Sequence, residues 1–341
     1  MKVLVTGATG FLGSHIAQAA LAAGDEVSVL VRPGRESAVA ELTGARIVTG
    51  DLTDPASLRT ACHGADVVYH SAGLVSEVGT RQQFWAANVD GTRALLAAAR
   101  EAGTGRFVYV STPSVATSYE ADRFGIDESE PYVTAPKSLY VASKTVAEQH
   151  VLAANAPGFT TCALRPRMIW GPRSSGWMTV LLRKLRSGKL PDLSGGRQVL
   201  ASITYCDHAA QACLLAARSD AVAGKAYFLA DAEDIDLWAF VRDLAVALDL
   251  TPPTRTIPAP VLDAAITVFD TLWRVPAIAE RWSPPLSSWT TAALTVSSTY
   301  DTSAAARDFG YRPTVTRDEG LAAYVEWVRA TGGVDAVIAR G

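Results

Sequence analysis

The chain has 341 residues, with 31 Lys+Arg against 34 Asp+Glu and a formal net charge of −3. Hydrophobic residues make up 49% and charged residues 19%, which is enough for a sizeable core and excludes a disordered or fibrous chain. At roughly 150 residues per domain the length suits one large or two intimate domains, and the missing basic surplus argues against nucleic acid as a partner.

The chain opens with an apolar run, Lys2–Val5, that passes at once into Thr6-Gly7-Ala8-Thr9-Gly10-Phe11-Leu12-Gly13. No apolar stretch of signal-peptide length comes first. A helical pattern follows, with Leu12, Ile16, Ala19, Ala20 and Ala23 at helical spacing. A glycine loop between a strand and a helix suits a dinucleotide. Gly7 allows the tight turn, Gly10 lets the backbone approach a pyrophosphate, and Gly13 lets the helix pack on the strand. Free N–H groups at the helix start, around Thr9 to Leu12, then meet the phosphates.

The second strand, Glu26–Val31, ends in Arg32-Pro33-Gly34-Arg35. An acid there would hold a ribose 2′-OH. Two arginines suit a 2′-phosphate instead, so NADP(H) is expected over NAD(H). The third strand, Arg46–Val48, leads to Asp51-Leu52, where a carboxylate can accept from an adenine amine. Asp54-Pro55 reads as a helix cap followed by proline at the first helical position. The fourth strand, Val67–His70, leads to Ser71-Ala72-Gly73, small residues at the sheet edge where ligands bind. Gly24 and Gly103 stand where helices stop.

The fifth strand, Phe107–Val110, leads to Ser111-Thr112-Pro113-Ser114. A hydroxyl here can bond a substrate oxygen, and all three are candidates. Tyr140 and Lys144 follow, four residues apart on one face of a predicted helix. An ammonium beside a phenol is expected to lower the phenol pKa from near 10 and let it exchange a proton with an alcohol or ketone. A sixth strand, Thr161–Leu164, completes the alternation. Strand–helix alternation implies right-handed crossovers and a parallel sheet covered on both faces.

After Gly171 the rhythm becomes irregular. Leu237–Leu250 has a helical pattern, and Pro258–Ala279 suits one or two amphipathic helices. The uncharged stretch Trp282 to Tyr300 carries Pro284, Pro285 and many Ser and Thr, which argues against a membrane span. Cys62, Cys162, Cys206 and Cys213 form no Cys-x-x-Cys pair and read as buried thiols in a reducing compartment. The histidines lie too far apart in sequence to suggest a metal site, and His70 reads as a buried, hydrogen-bonded residue. A cytoplasmic protein is expected. The layout is a Rossmann-type doubly wound parallel sheet over residues 1–170 with a smaller α/β cap over 171–341, some of whose segments return to the first domain.

The motifs Thr6-Gly7-x-x-Gly10-x-x-Gly13, Asp51-Leu52, His70-Ser71-Ala72-Gly73, Asn88-Val89-x-Gly91-Thr92, Ser111-Thr112, Tyr140-x-x-x-Lys144 and Arg165-Pro166-x-x-x-x-Gly171-Pro172 occur in one order. On them the chain resembles the extended short-chain dehydrogenase/reductases. Tyr109–Val115, Leu164–Pro172 and Asp308-Phe309-Gly310-Tyr311 are most similar to the 3β-hydroxysteroid dehydrogenase-like branch, and within it to the 2-alkyl-3-ketoalkanoate reductases of olefin biosynthesis. The resemblance implies that Thr112 polarises the substrate oxygen and Tyr140 transfers the proton, while Lys144 holds the nicotinamide ribose and tunes Tyr140. It places Asn88 at a structural or proton-relay position, and Pro166 to Ile169 along the nicotinamide. Two departures stand out. Thr112 replaces the commoner Ser, and Val115-Ala116-Thr117 replaces the Val-Tyr-Gly of sugar-nucleotide enzymes.

Arg167 is a candidate for a substrate carboxylate or an internal ion pair. Trp170 and Trp177 are candidates for a substrate wall or for the core. The expectation is an NADP(H)-dependent oxidoreductase interconverting a ketone and a secondary alcohol on an apolar substrate, a β-keto acid or a steroid-like or polyketide-like compound. The alternatives are a sugar-nucleotide epimerase or dehydratase and a non-catalytic dinucleotide sensor. A homodimer is expected through Gln82–Ala102 and the Tyr140 helix, with Ala97, Ala98, Ala99, Ala142 and Ala147 allowing close approach.

Overall fold

A computed structural model describes residues 1–340 except 77, 137, 259, 263, 265, 266, 269–291 and 293. Most of Pro258–Ala279, and most of the uncharged stretch after Trp282, lie outside the described residues.

The main layer is a seven-stranded parallel sheet. Its strands are β1 (Lys2–Thr6), β2 (Glu26–Val31), β3 (Arg46–Thr49), β4 (Val67–His70), β5 (Arg106–Val110), β7 (Thr160–Pro166) and β11 (Lys225–Leu229). The order is β11-β7-β5-β4-β1-β2-β3. Both faces are covered, so the strands are near-continuous apolar runs. Their alternation divides the residues between two cores. Val3, Val5, Val29 and Tyr69 face one way, with Ile16 and Ala20 of α1 (Phe11–Ala22) and Ala209 and Ala212 of α7 (Cys206–Ala216). Leu4, Leu30, Val68 and Phe107 face the other, with Leu58 of α2 (Pro55–Cys62), Leu95 and Ala99 of α4 (Gly91–Glu101) and Ala147 and Val151 of α5 (Leu139–Ala153).

The expected helix punctuation is present. Asp54 accepts from Ala56 and Ser57 N–H at 3.0 and 3.3 Å, ahead of Pro55. Gly24 and Gly103 adopt φ of +79° and +74° beyond the ends of α1 and α4.

A second layer holds a four-stranded sheet of order β12-β9-β13-β6. Here β6 is Arg123–Ile126, β9 Leu200–Ala201, β12 Ile235–Asp236 and β13 Ser298–Tyr300. A two-stranded piece pairs β8 (Ile169–Trp170) with β10 (Thr204–Tyr205). Its core gathers α6 (Trp177–Arg186), α8 (Leu237–Ala247), α10 (Arg317–Ala330) and α11 (Val334–Arg340) around Leu182, Phe240, Leu244, Tyr324 and Val328. The chain crosses between the layers. α7 and β11 belong to the large layer, as does α9 (Ser303–Phe309), whose Phe309 meets Tyr227 edge-on at 5.1 Å. β6, from the first half, pairs with β13.

Three of the five alanines expected at a self-association face are internal. Ala98, Ala99 and Ala147 are buried within the protomer, where α4 and α5 pack on the sheet. Only Ala97 and Ala142 keep exposed surface. Among the described residues no helix is long and apolar enough to cross a membrane.

Candidate active site

The strand order reverses at β1 and β4, and there the loops that leave the two strands touch. Gly7 has φ +77°, and a Cβ on it would stand 2.7 Å from the Ala72 nitrogen. A Cβ on Gly13 would stand 2.2 Å from the Gly7 oxygen, so α1 packs against the loop backbone. Gly10 caps α1 with no side-chain bond, and Thr9 and Gly10 are exposed. The first N–H groups of α1, at Phe11 and Leu12, therefore face an open cradle, as a pyrophosphate requires. The residues present fit a dinucleotide.

The walls of the cradle are held from behind. Buried His70 bonds Thr6 Oγ1 at 2.7 Å and Thr92 Oγ1 at 2.9 Å. Burial lowers its pKa to about 3, so the ring is neutral. Asn88 lies in a π-turn, Trp85–Asp90, ahead of α4. Its Oδ1 accepts from Leu74 N–H at 2.6 Å, and its Nδ2 donates to Leu74 O at 3.0 Å and to Ser143 Oγ at 2.9 Å. A Cβ on Gly73 would meet Asn88 Oδ1 at 3.0 Å. Asn88 thus ties the Ser71-Ala72-Gly73 loop to the helix that carries Tyr140.

Arg32 and Arg35 flank a turn at the end of β2, closed by Arg35 N–H to Arg32 O at 3.0 Å, with both side chains exposed. Asp51 lies near Arg32, with Leu52 next in the chain. The N–H and hydroxyl of Thr53 donate to Asp51 at 2.9 and 2.7 Å. Those bonds, and to a smaller extent Arg32, lower its pKa.

At the carboxyl end of β5 the three hydroxyls separate. Ser111 Oγ is buried with no partner among the described residues. The Thr112 side chain faces the Tyr140 phenol. Ser114 Oγ lies 3.4 Å from both Thr112 Oγ1 and the Tyr119 hydroxyl. Tyr140 and Lys144 share one face of α5, but the expected lowering of the phenol pKa is not found. Burial pushes Tyr140 up to about 12, against a smaller downward pull from Thr112. Lys144 Nζ points elsewhere, donating to Val110 O at 2.6 Å and lying 4.1 Å above the Tyr109 ring. Burial lowers its own pKa to about 7.

Pro166 ends β7 and Ile169 opens β8, and between them Met168 takes φ +43°. Trp170 is not a substrate wall. It is 1% exposed, packs edge-on between Tyr205 and Phe240, and donates to Asp231 at 2.9 Å. Trp177 donates to Ile169 O at 2.9 Å and is half-buried. Arg167 is buried and forms no ion pair among the described residues. Its Nη1 donates to the Ser298 carbonyl and hydroxyl, and its guanidinium carbon lies 5.3 Å from the Tyr119 ring and 5.8 Å from the Tyr300 ring. Tyr119, Tyr300 and Ser298 gave no signal in the sequence. The positive φ of Tyr119 (+53°) and the pairing of β13 with β6 exist only in the folded chain.

His15, Cys206 and Asp207 also come together, with ligand-type atoms within 4.8 Å of one another. Both ring nitrogens of His15 are in hydrogen bonds, to Asp207 at 2.8 Å and to Pro172 O at 3.0 Å. The cluster ties α1 to the start of α7 and to the Gly171-Pro172 turn.

Residues 4–259 match the model of the 3-beta hydroxysteroid dehydrogenase/isomerase family. The chain belongs to that family, and it is an NAD(P)-dependent oxidoreductase of the dehydrogenase and ketoreductase type. Among curated relatives, a 2-alkyl-3-oxoalkanoate reductase of Stenotrophomonas maltophilia is 37% identical over 335 residues, 94% of this chain and 97% of that one. A 4-hydroxy-2-methyl-3-oxo-4-farnesyl-3,4-dihydroquinoline-1-oxide ketoreductase of Stigmatella aurantiaca is 34% identical, covering 94% and 95%. Among solved structures, a dTDP-glucose 4,6-dehydratase of Streptomyces venezuelae superposes with a TM-score of 0.74 at 25% identity, covering 97% and 98%.

Proposed function

We propose that this chain is an NADPH-dependent ketoreductase acting on an apolar 3-oxo acid, with residues 171–341 supplying most of the substrate cap. The observation that carries the reading is the convergence at the carboxyl end of β5, where Thr112 faces Tyr140 of α5, Lys144 one turn on donates to Val110 O, and Asn88 ties the helix to the loop beside the glycine cradle. Hydride for the carbonyl carbon is the chemistry that a bound nicotinamide dinucleotide supplies. Gly7, Thr9, Gly10, Phe11, Leu12 and Gly13 would hold its pyrophosphate, with Arg32 and Arg35 at a 2′-phosphate and Asp51 and Leu52 at the adenine. Ser71, Ala72, Gly73, Asn88, Pro166 and Ile169 would border its remaining length, with Lys144 at the ribose.

The chain's own residues handle the oxygen. With its pKa near 12, Tyr140 carries its proton at neutral pH, which suits an acid donating to the oxygen of a ketone being reduced. Thr112 orients that oxygen by a hydrogen bond. Lys144, near 7, exchanges a proton in the working range. The names of the relatives, a 3-oxoalkanoate reductase and a ring ketoreductase, support reduction of an apolar ketone. The likeness to a nucleotide-sugar dehydratase is one of fold.

The test incubates the enzyme with NADPH or NADH and a panel of 2-alkyl-3-oxoalkanoates, 3-ketosteroids and nucleotide sugars. Stoichiometric consumption of NADPH with the oxo acids is expected. Conversion of a nucleotide sugar without net consumption overturns the reading, and so does dinucleotide binding with no turnover. We also propose a homodimer through the exposed face of the Gln82–Ala102 stretch and α5. Light scattering at micromolar concentration should return twice the chain mass.

A further inference from the structure

Two buried arginines stand two residues apart at the end of β7, and their surroundings differ. Arg165 is matched by a carboxylate. Its Nε donates to both oxygens of buried Glu148 at 3.2 Å, its Nη2 donates to Oε1 at 2.5 Å, and the Tyr132 hydroxyl completes the group at 2.9 Å. Arg165 Nη1 has no partner among the described residues, but its charge is balanced. Arg167 is 3% exposed and has only the carbonyl and hydroxyl of Ser298 on Nη1, while its Nη2 has no partner among the described residues. A buried cation without an anion is destabilising. An arrangement that keeps one gains when an anion arrives.

The surroundings of Arg167 lead to the reaction centre. Its guanidinium is boxed by the rings of Tyr119 and Tyr300, whose hydroxyls lie 3.3 Å apart. From Tyr119 the contacts continue through Ser114 Oγ to Thr112 Oγ1, at 3.4 Å each. Thr112 faces the Tyr140 phenol. The Tyr300 hydroxyl donates to Thr117 Oγ1 at 3.1 Å. The buried hydroxyls of Ser114, Tyr119 and Tyr300 thus connect Thr112 to a cation that is unmatched among the described residues. In a 3-oxo acid the carboxylate carbon is two bonds from the ketone carbon.

We infer that Arg167 is the specificity residue for the substrate carboxylate, which its Nη2 receives while Tyr119 and Tyr300 hold the guanidinium in place. The inference rests on the 3-oxo acid reading of the function. It adds that the enzyme discriminates the acid from the corresponding ester or neutral ketone, and that one buried side chain is responsible. Arginine suits the role because its planar fork matches a carboxylate and stacks on aromatic rings.

Because 3-oxo acids lose carbon dioxide in solution, the test runs in the oxidative direction. A 2-alkyl-3-hydroxyalkanoic acid and its methyl ester are compared with NADP+ and NAD+, using wild type, Arg167→Gln and Arg167→Lys. Wild type should prefer the acid. In Arg167→Gln the acid-to-ester ratio of kcat/KM should fall by roughly 30- to 1,000-fold, the range for truncating one side of a buried charge pair. Arg167→Lys, which keeps the charge without the fork, should retain part of the preference. As a second readout, the hydroxy acid and not the ester should raise the melting temperature of wild type and of Arg167→Lys. If Arg167→Gln does not fold, the wild-type preference, the lysine variant and these melting shifts decide.

Equal handling of acid and ester by wild type overturns the inference, as does an unchanged ratio in folded Arg167→Gln. In either case, turnover of the acid leaves the ketoreductase reading standing. If wild type turns over neither compound but oxidises another class of alcohol, the 3-oxo acid reading itself falls and takes this inference with it.

Discussion

The two sides of the candidate site are assembled by different means. On the dinucleotide side the contacts are local or run between neighbouring elements. Gly10 N–H reaches Gly7 O at 2.9 Å, α1 sits on the loop it leaves, and His70 bonds Thr6 on the adjacent strand. On the proposed substrate side Arg167 meets Ser298 across 131 residues of sequence, and Tyr119 meets Tyr300 across 181. A side built from short motifs keeps its shape wherever the motif and the sheet are kept. A side built from distant segments can change its chemistry by single substitutions without touching the cradle. That difference lets one fold serve reductases and nucleotide-sugar enzymes alike.

The sharpest way to probe the comparison lies where the two sides join. Tyr140→Phe should lower the reduction rate by roughly 10²–10⁴-fold, the range for a lost general acid, and leave dinucleotide affinity within a few-fold. Steady-state rates and a fluorescence titration with NADPH measure both. Activity within a few-fold of wild type would show that another group supplies the proton.

Next in size is cofactor choice. Arg32→Ala should weaken NADPH by roughly ten- to a hundredfold, since one hydrogen bond to a charged group contributes about 1.5–3 kcal/mol. NADH should barely change. Equal losses for both cofactors, or a wild type that prefers NADH, would make Arg32 an ordinary surface residue and remove the case for NADPH.

A smaller effect tests whether the cradle is set by backbone contact. Gly13→Ala puts a methyl 2.2 Å from the Gly7 oxygen. The chain should lose about 1–3 kcal/mol of stability, the usual cost of overpacking, and bind dinucleotide more weakly. Chemical denaturation would register the first change and titration the second. A neutral outcome would mean that the loop relaxes freely, contrary to the rigid side of the comparison.

The last effect, read as a slope with pH, concerns the support behind the cradle. The folded-state pKa of His70 is about 3, against an ordinary value near 6.5. Between those values the unfolded chain binds a proton that the folded chain does not, so stability falls as pH drops from about 6.5 towards 3. The slope from this one group is on the order of 1 kcal/mol per pH unit. His70→Gln should flatten the dependence of the urea midpoint on pH in that window. An unchanged slope would assign acid sensitivity to other groups.

Much of the dinucleotide side was legible in the chain itself. Gly7, Gly10 and Gly13 carry their meaning locally, because a tight turn and a close helix start demand residues without Cβ. Asp54-Pro55 announced a helix, and the apolar strand runs announced a sheet covered on both faces. Tyr140 and Lys144 were placed on one helical face by spacing alone. What spacing could not give was the environment of Tyr140. The Lys144 ammonium turns towards the Val110 carbonyl, and burial raises the phenol pKa that the lysine was expected to lower. Trp170 and Arg167 show the same limit. Both stand in one short run after β7, yet one closes a core and the other faces two tyrosine rings. Local backbone preference and hydrophobic period determined the elements and the cradle. Which of Ser111, Thr112 and Ser114 meets Tyr140, and which arginine finds a carboxylate, was decided only in the tertiary structure, because charge pairing and desolvation depend on what distant segments bring alongside.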